Sequence, residues 1–195
     1  MNFEDLRTLK ILEELEGPHA PSQRDVARSL DISLGLVNAF VKRLVQKGYF
    51  KVTTIPRNRV KYILTPKGMA EKTRLTCEYI QYSIQFYKRA RERFSALFSE
   101  LAAQGVKSVA FYGANELSEI ASVSLVESKL SLVAVADPEK AGKHFLGLVV
   151  ADPAFLLSTR FDRIIVTDPG AGAQASATLE AVGVPVEKIL VVDPV

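Results

Sequence analysis

Apolar positions fall into two regimes along the chain. Up to about residue 104 they recur at helical spacing, and beyond it they come in short continuous runs separated by turns. In EDLRTLKILEELE (4–16), Leu6, Leu9, Ile11, Leu12 and Leu15 form a broad helical stripe, which the breakers of GPHAP end. SQRDVARSL predicts a short helix with Ser22 as N-cap, Asp25 as its capping-box partner and Val26, Ala27 and Leu30 inward. After the turn DIS, Ser33 caps a further helix, LGLVNAFVKRLVQKG, with Val37, Val41 and Leu44 toward the core and Gly48 just past its end. YFKVTTI and VKYILT read as two strands of a hairpin around PRNR. Thr65 and Pro66 then supply an N-cap and a proline in the first helical position. Gly68 is the only breaker before Gly105, so 66–105 reads as one long helix or two abutting ones.

The second regime begins with KSVAFY, continues through LSLVAVAD, FLGLVV and FDRIIVTD, and ends with EKILVVD. Helical stretches separate these runs: NELSEIASVSLVES, with Leu117, Ile120, Ala121, Val123 and Leu125 inward, then PAFLLST, then AQASATLEAVG. Strands alternating with helices, each strand continuously apolar, predict a parallel sheet covered on both faces. The expected architecture is an α+β winged helix-turn-helix domain (1–65), a connecting helix (66–105) and an α/β Rossmann-like domain (106–195). Its parallel five-stranded sheet takes the order 3-2-1-4-5.

Charge sharpens the division. Residues 1–104 hold 18 Lys and Arg against 11 Asp and Glu, whereas residues 105–195 hold 7 against 11. A basic first half points to a polyanion, double-stranded DNA, as its partner. On the third helix the face opposite the core shows Gly35, Asn38, Ala39, Lys42 and Arg43 behind the cap Ser33. Short side chains let such a face approach base edges, Asn38 can read them, and Lys42 and Arg43 can reach phosphates. The hairpin tip carries Arg57, Asn58 and Arg59, suited to DNA backbone or a narrow minor groove. The long helix carries Leu75, Tyr79, Ile80, Tyr82, Ile84, Phe86, Tyr87, Phe94, Leu97 and Leu101 on more than one stripe. It therefore packs on both domains or on a copy of itself, and a homodimer agrees with a pseudo-palindromic DNA site. Cys77, the one cysteine, excludes an internal disulfide and reads as a small core residue.

Together, SQRDVARSLDISLGLVNAFVKRLVQKGYFKV and KYILTPKGMAEKTRLT resemble the MarR-type winged helices associated with exopolysaccharide gene clusters. The resemblance spans about residues 4–95. It implies a dimeric transcriptional regulator tied to surface-polysaccharide genes. In the second half, YGANELSEIA, the LVAVAD segment and FDRIIVTDP resemble Rossmann-like domains of polysaccharide-biosynthesis enzymes that act on nucleotide sugars. That resemblance implies a nucleotide or nucleotide-sugar pocket. Redox-sensing Rex-type repressors share the layout of winged helix plus dinucleotide domain, as an analogy of architecture alone.

The topology places that pocket at the strand carboxyl ends, around Gly113, Ala114, Asn115, Glu116, Asp137, Thr167, Asp168 and Gly170. Set against the GxGxxG fingerprint, the segment from Gly113 to Ser118 keeps only its first glycine. Asn115 stands where a pyrophosphate needs close backbone approach, and Glu116 puts negative charge on the first helical turn. Asp137, 24 residues after Gly113, stands near the place of a ribose-gripping acid, or caps the turn that follows it. The cofactor stays open: a nucleotide or nucleotide sugar ranks ahead of NAD(H), and an α/β domain that binds no small molecule and serves protein interaction or oligomerisation is the alternative. His19 and His144 neighbour no nucleophile, so no catalytic residue and no enzyme activity are expected. Two histidines and one cysteine, widely spaced, give no metal site. No apolar run reaches the about 18 residues of a membrane span, and the N-terminus lacks a signal-like apolar segment. The expected location is cytoplasmic.

Overall fold

A computed structural model describes residues 1–16, 21–55, 59–168 and 172–192, apart from the side chains of Thr54, Ile55 and Arg59. Arg57, Asn58, His19 and Gly170 lie outside the described residues. The chain divides into two units, Met1–Ile84 and Gln85–Val195.

The first unit holds α1 (Phe3–Leu15), α2 (Gln23–Ser29), α3 (Leu34–Gln46) and a hairpin of β1 (Phe50–Ile55) and β2 (Arg59–Leu64). The opening turns of α4 (Pro66–Ala103) complete it. Each start is set by a polar side chain. Asn2 accepts from the Asp5 amide, Ser22 and Asp25 form the reciprocal capping box, and Ser33 accepts from Leu36. Past α3 the Tyr49 amide returns to the Leu44 carbonyl at 2.9 Å, closing the helix at Gly48. The Thr65 hydroxyl accepts from the Gly68 amide at 3.0 Å and donates to the Gly48 carbonyl at 2.6 Å, joining the start of α4 to the end of α3. Gly68 is required there by close approach: a Cβ would lie 2.2 Å from the Tyr49 carbonyl oxygen. The core gathers Leu9, Ile11, Leu12 and Leu15 of α1, Val37, Phe40, Val41 and Leu44 of α3, Phe50 and Leu75.

The second unit is a parallel sheet in the order β4 (Ser131–Ala136), β3 (Ser108–Tyr112), β7 (Arg163–Val166), β8 (Ile189–Val191). Side chains alternate along β3. Val109 and Phe111 meet α5 (Glu116–Val126) and Ala90, Phe94, Phe98 and Leu101 of α4 on one face. Ala110 and Tyr112 meet Leu156 of the 3-10 turn Pro153–Ser158, and Ala175 and Leu179 of α6 (Gly172–Ala181), on the other. Phe94, Phe98 and Phe111 stack in series at 5.9 and 6.4 Å. The Asp162 carboxylate, just before β7, takes the amides of Lys107 and Ser108 at 2.8 and 2.9 Å and fixes the start of β3.

Three expectations change. The sheet has four strands among the described residues, not five. The run FLGLVV does not join it: Leu146 and Gly147 both have positive φ, which makes the two-residue turn of a hairpin, β5 (His144–Phe145) with β6 (Leu148–Val149). Only an isolated bridge, Ala136 to Ala151, ties the segment after that hairpin to β4. The long helix starts in one unit and ends in the other. Cys77 is exposed on it rather than buried, and Val123, expected inward on α5, is 42% exposed.

Candidate functional site

On α3 the buried stripe of Val37, Phe40, Val41 and Leu44 leaves the opposite side to solvent. Gly35, Asn38, Ala39 and Lys42 are all exposed there, with the cap Ser33 at the head of the helix. Gln46, one turn beyond Lys42 and also exposed, extends the stripe; the i, i+4 spacing from Lys42 was the signal for it. Arg43 behaves differently. Its guanidinium pairs with Glu4 of α1 and lies 5.2 Å from the Phe40 ring centre, so it ties α3 to α1. The hairpin that follows pairs Phe50 with Leu64 through Ile55 with Arg59 in antiparallel register. Arg59 opens β2, while Arg57 and Asn58 belong to the undescribed tip. Exposed Lys51 and Lys61 add positive charge along its two strands.

Residues 4–51 match the family model described as winged helix-turn-helix DNA-binding. The matched segment runs from α1 through α3 into β1 and includes the whole exposed stripe. This match to a winged helix-turn-helix DNA-binding domain at the N-terminus supports a DNA-binding regulator. No curated protein matches the chain. No helix among the described residues is long and apolar enough to cross a membrane.

In the second unit, β3 is where the chain switches from building the sheet on one side to building it on the other. A crevice of about 440 Å³ opens at the carboxyl ends of β3 and β7, as such a switch point requires. It brings together Gly113, Asn115, Asp137 and Asp168 of the expected residues. Ala114 and Glu116 line a neighbouring hollow of about 170 Å³ with His144. Thr167 is fully buried beneath the crevice rather than on its wall.

The N-terminus of α5, where a dinucleotide fold receives phosphate, is occupied by the chain itself. The Asn115 Oδ1 accepts from the amides of Leu117 and Ser118 at 3.0 and 3.2 Å, and its Nδ2 donates to the Thr167 carbonyl at 3.0 Å. Below it the Ser118 hydroxyl donates to the Gly113 carbonyl, and the hydroxyls of Ser118 and Thr167 lie 2.8 Å apart. Gly113 is fixed by this arrangement: its φ is 108°, and a Cβ would lie 3.1 Å from both the Asn115 Nδ2 and the Thr167 hydroxyl. The retained glycine of the fingerprint therefore has a structural reason independent of any phosphate.

Asp137 is likewise committed. One carboxylate oxygen accepts from the Ala114 amide at 2.9 Å, and the other from the amides of Glu139 and Lys140 at 2.9 and 3.2 Å. It pins the Gly113–Ala114 loop to the turn after β4, which is the capping role rather than the ribose-gripping one. The Lys140 ammonium donates back to the Ala114 carbonyl. Asp168, half-buried, makes no hydrogen bond or ion pair to a described residue. Tyr112, Lys140, Gln174 and Thr178 complete the wall and were not foreseen. Tyr112 as the last strand residue before the glycine was the available signal. Burial pushes the Tyr112 phenol up, against a hydrogen bond with Thr178 that lowers it, and the charges of Asp137 and Asp168 add to the rise.

Proposed function

We propose that this chain acts as a homodimeric transcriptional regulator, and not as an enzyme, whose C-terminal Rossmann-like α/β domain senses a small molecule in the crevice beside Gly113. The observation that carries the reading is the exposed stripe of Gly35, Asn38, Ala39 and Lys42 on α3, inside the segment that matches a DNA-binding family. Small residues over the first turns let a helix lie close to base edges, and a lysine one turn on reaches a phosphate. Dimerisation is supported by α4, where Tyr79, Ile80, Tyr82 and Ile84 are 45 to 50% exposed on a single helix, and by the twofold symmetry that paired half-sites impose. The resemblance of the N-terminal half to exopolysaccharide-associated regulators supports targets among surface-polysaccharide genes.

Duplex DNA binding at low salt tests the reading. Binding should weaken steeply with salt, and Lys42→Ala should reduce the slope of log K against log salt by about one. Absence of DNA affinity at low salt removes the proposal.

A second reading has its own support. The Asn115 cap occupies the donors a nucleotide phosphate would use. This favours an α/β domain that carries no nucleotide and serves protein interaction or oligomerisation. Of the two, the sensor reading has the open crevice on its side.

A further inference from the structure

The β1–β2 hairpin is tied to the helices of the first unit in two places. At its base Phe50 is buried in the core, and the Thr65 amide, just past β2, donates to the Tyr49 carbonyl at 3.0 Å. Farther toward the tip, Tyr62 lies edge-on to Phe50 with ring centres 6.0 Å apart. Its hydroxyl accepts from the Gln23 Nε2 at 2.6 Å, and Gln23 is the first residue of α2. We propose that Tyr62 and Gln23 are positioning residues for DNA binding: their contact holds the hairpin beside α2, so that its lysines meet the same duplex as the exposed stripe on α3. The inference rests on the DNA-binding reading above.

Among the described residues no other side chain of β1 or β2 hydrogen-bonds to a helix. Beyond this contact the face that carries Tyr62 loses its cover. Val52, opposite Tyr62, is 45% exposed, and Val60, the next residue toward the tip on that face, is 44% exposed. A two-stranded hairpin is marginally stable by itself in water, so its outer part takes its direction from the last point at which it is held. That point is the Tyr62 hydroxyl. Both partners are half-buried, which limits competition from water. Lys51 and Lys61 are exposed and share the opposite face of the hairpin. Their attraction to phosphate is short-ranged in salt, so it depends on where the hairpin points. The partners lie 39 residues apart in sequence, and neither carries a local signal for the other.

Fluorescence anisotropy of the full chain with a mixed-sequence DNA duplex, repeated across a range of salt, tests this. Tyr62→Phe keeps the ring against Phe50 and removes only the hydroxyl. It should weaken binding about threefold to tenfold, the size of one hydrogen bond, and lower the slope of log K against log salt by about one. Gln23→Leu should do the same, and the two together should weaken binding no further than either does singly. Lys61→Ala should lower the slope in the parent and leave it unchanged in the Tyr62→Phe chain. Ser29→Ala removes a contact of equal length, from α2 to Glu14 of α1, and should not alter the slope. Parental affinity and slope in Tyr62→Phe would overturn the inference. So would an equal loss in Ser29→Ala, or an undiminished effect of Lys61→Ala in the Tyr62→Phe chain. A parent chain that binds no duplex at low salt would remove the DNA-binding reading itself, and the inference with it.

Discussion

Gly113 and Asn115 show what single residues decide here. The sequence singles out both, because a glycine between strand and helix and an asparagine at a helix start carry strong local signals. Their partners are not legible, since Thr167 lies 52 residues from Asn115 and reaches it only through the pairing of β3 with β7. Gly113→Ala forces a side chain into a left-handed backbone conformation and against two polar atoms. It should destabilise the second unit by about 1–3 kcal/mol, read from the urea midpoint. Asp162 shows the same dependence on distant pairing, and carries a pH signature. The amides of Lys107 and Ser108 hold its carboxyl below the usual range. The folded state thus keeps this charge at a pH where the unfolded chain has begun to lose it. The stabilisation is complete above about pH 4, the unfolded value, and disappears as pH falls through the lower folded one. Asp162→Asn should cost about 1–2 kcal/mol at neutral pH, and the difference from the parent should shrink in midpoints measured toward pH 2.

Among the elements, periodicity served best where one face alone is buried. On α3 the inward stripe, the cap and the end all emerge from spacing and composition, and the structure adds Phe40 to the core and Gln46 to the outer face. Periodicity failed for FLGLVV, which is apolar enough for a buried strand. Its central Leu-Gly is also a turn, and the short hairpin it makes satisfies both arms locally. On α4, pattern gave length without identifying a partner for each face. The exposed aromatic and aliphatic residues from Tyr79 to Tyr87 are the part still uncovered. An Ile80→Glu, Ile84→Glu double variant places two charges on that face without touching either core. Sedimentation should show the proposed dimer for the parent and a monomer for the variant, with helix content by circular dichroism unchanged. A dimer that persists would move the self-association surface elsewhere.

For the whole molecule, charge reverses and periodicity changes near residue 104, whereas the chain divides into its two units between Ile84 and Gln85. The second unit borrows the end of a helix that reads as one continuous pattern with its beginning. Phe98 lies in the borrowed portion, fully buried against Phe94 and Phe111. Phe98→Ala should cost the second unit about 3–5 kcal/mol. Hydrogen exchange should show faster opening of β3 and β7, with the amides of α1 to α3 keeping their protection. Loss of protection in both units together would show that they unfold as one.

The division of α4 also bears on how the chain is made. The core of the first unit is complete once Leu75 is available, whereas the core around Phe94 and Phe98 is complete only when Ile165 in β7 has followed Phe111 in β3. At about 5–20 residues per second, the ribosome takes several seconds to add those intervening residues. Throughout that interval a finished DNA-binding unit trails a nascent helix whose phenylalanines are only partly covered, the stage at which a chaperone would find this chain.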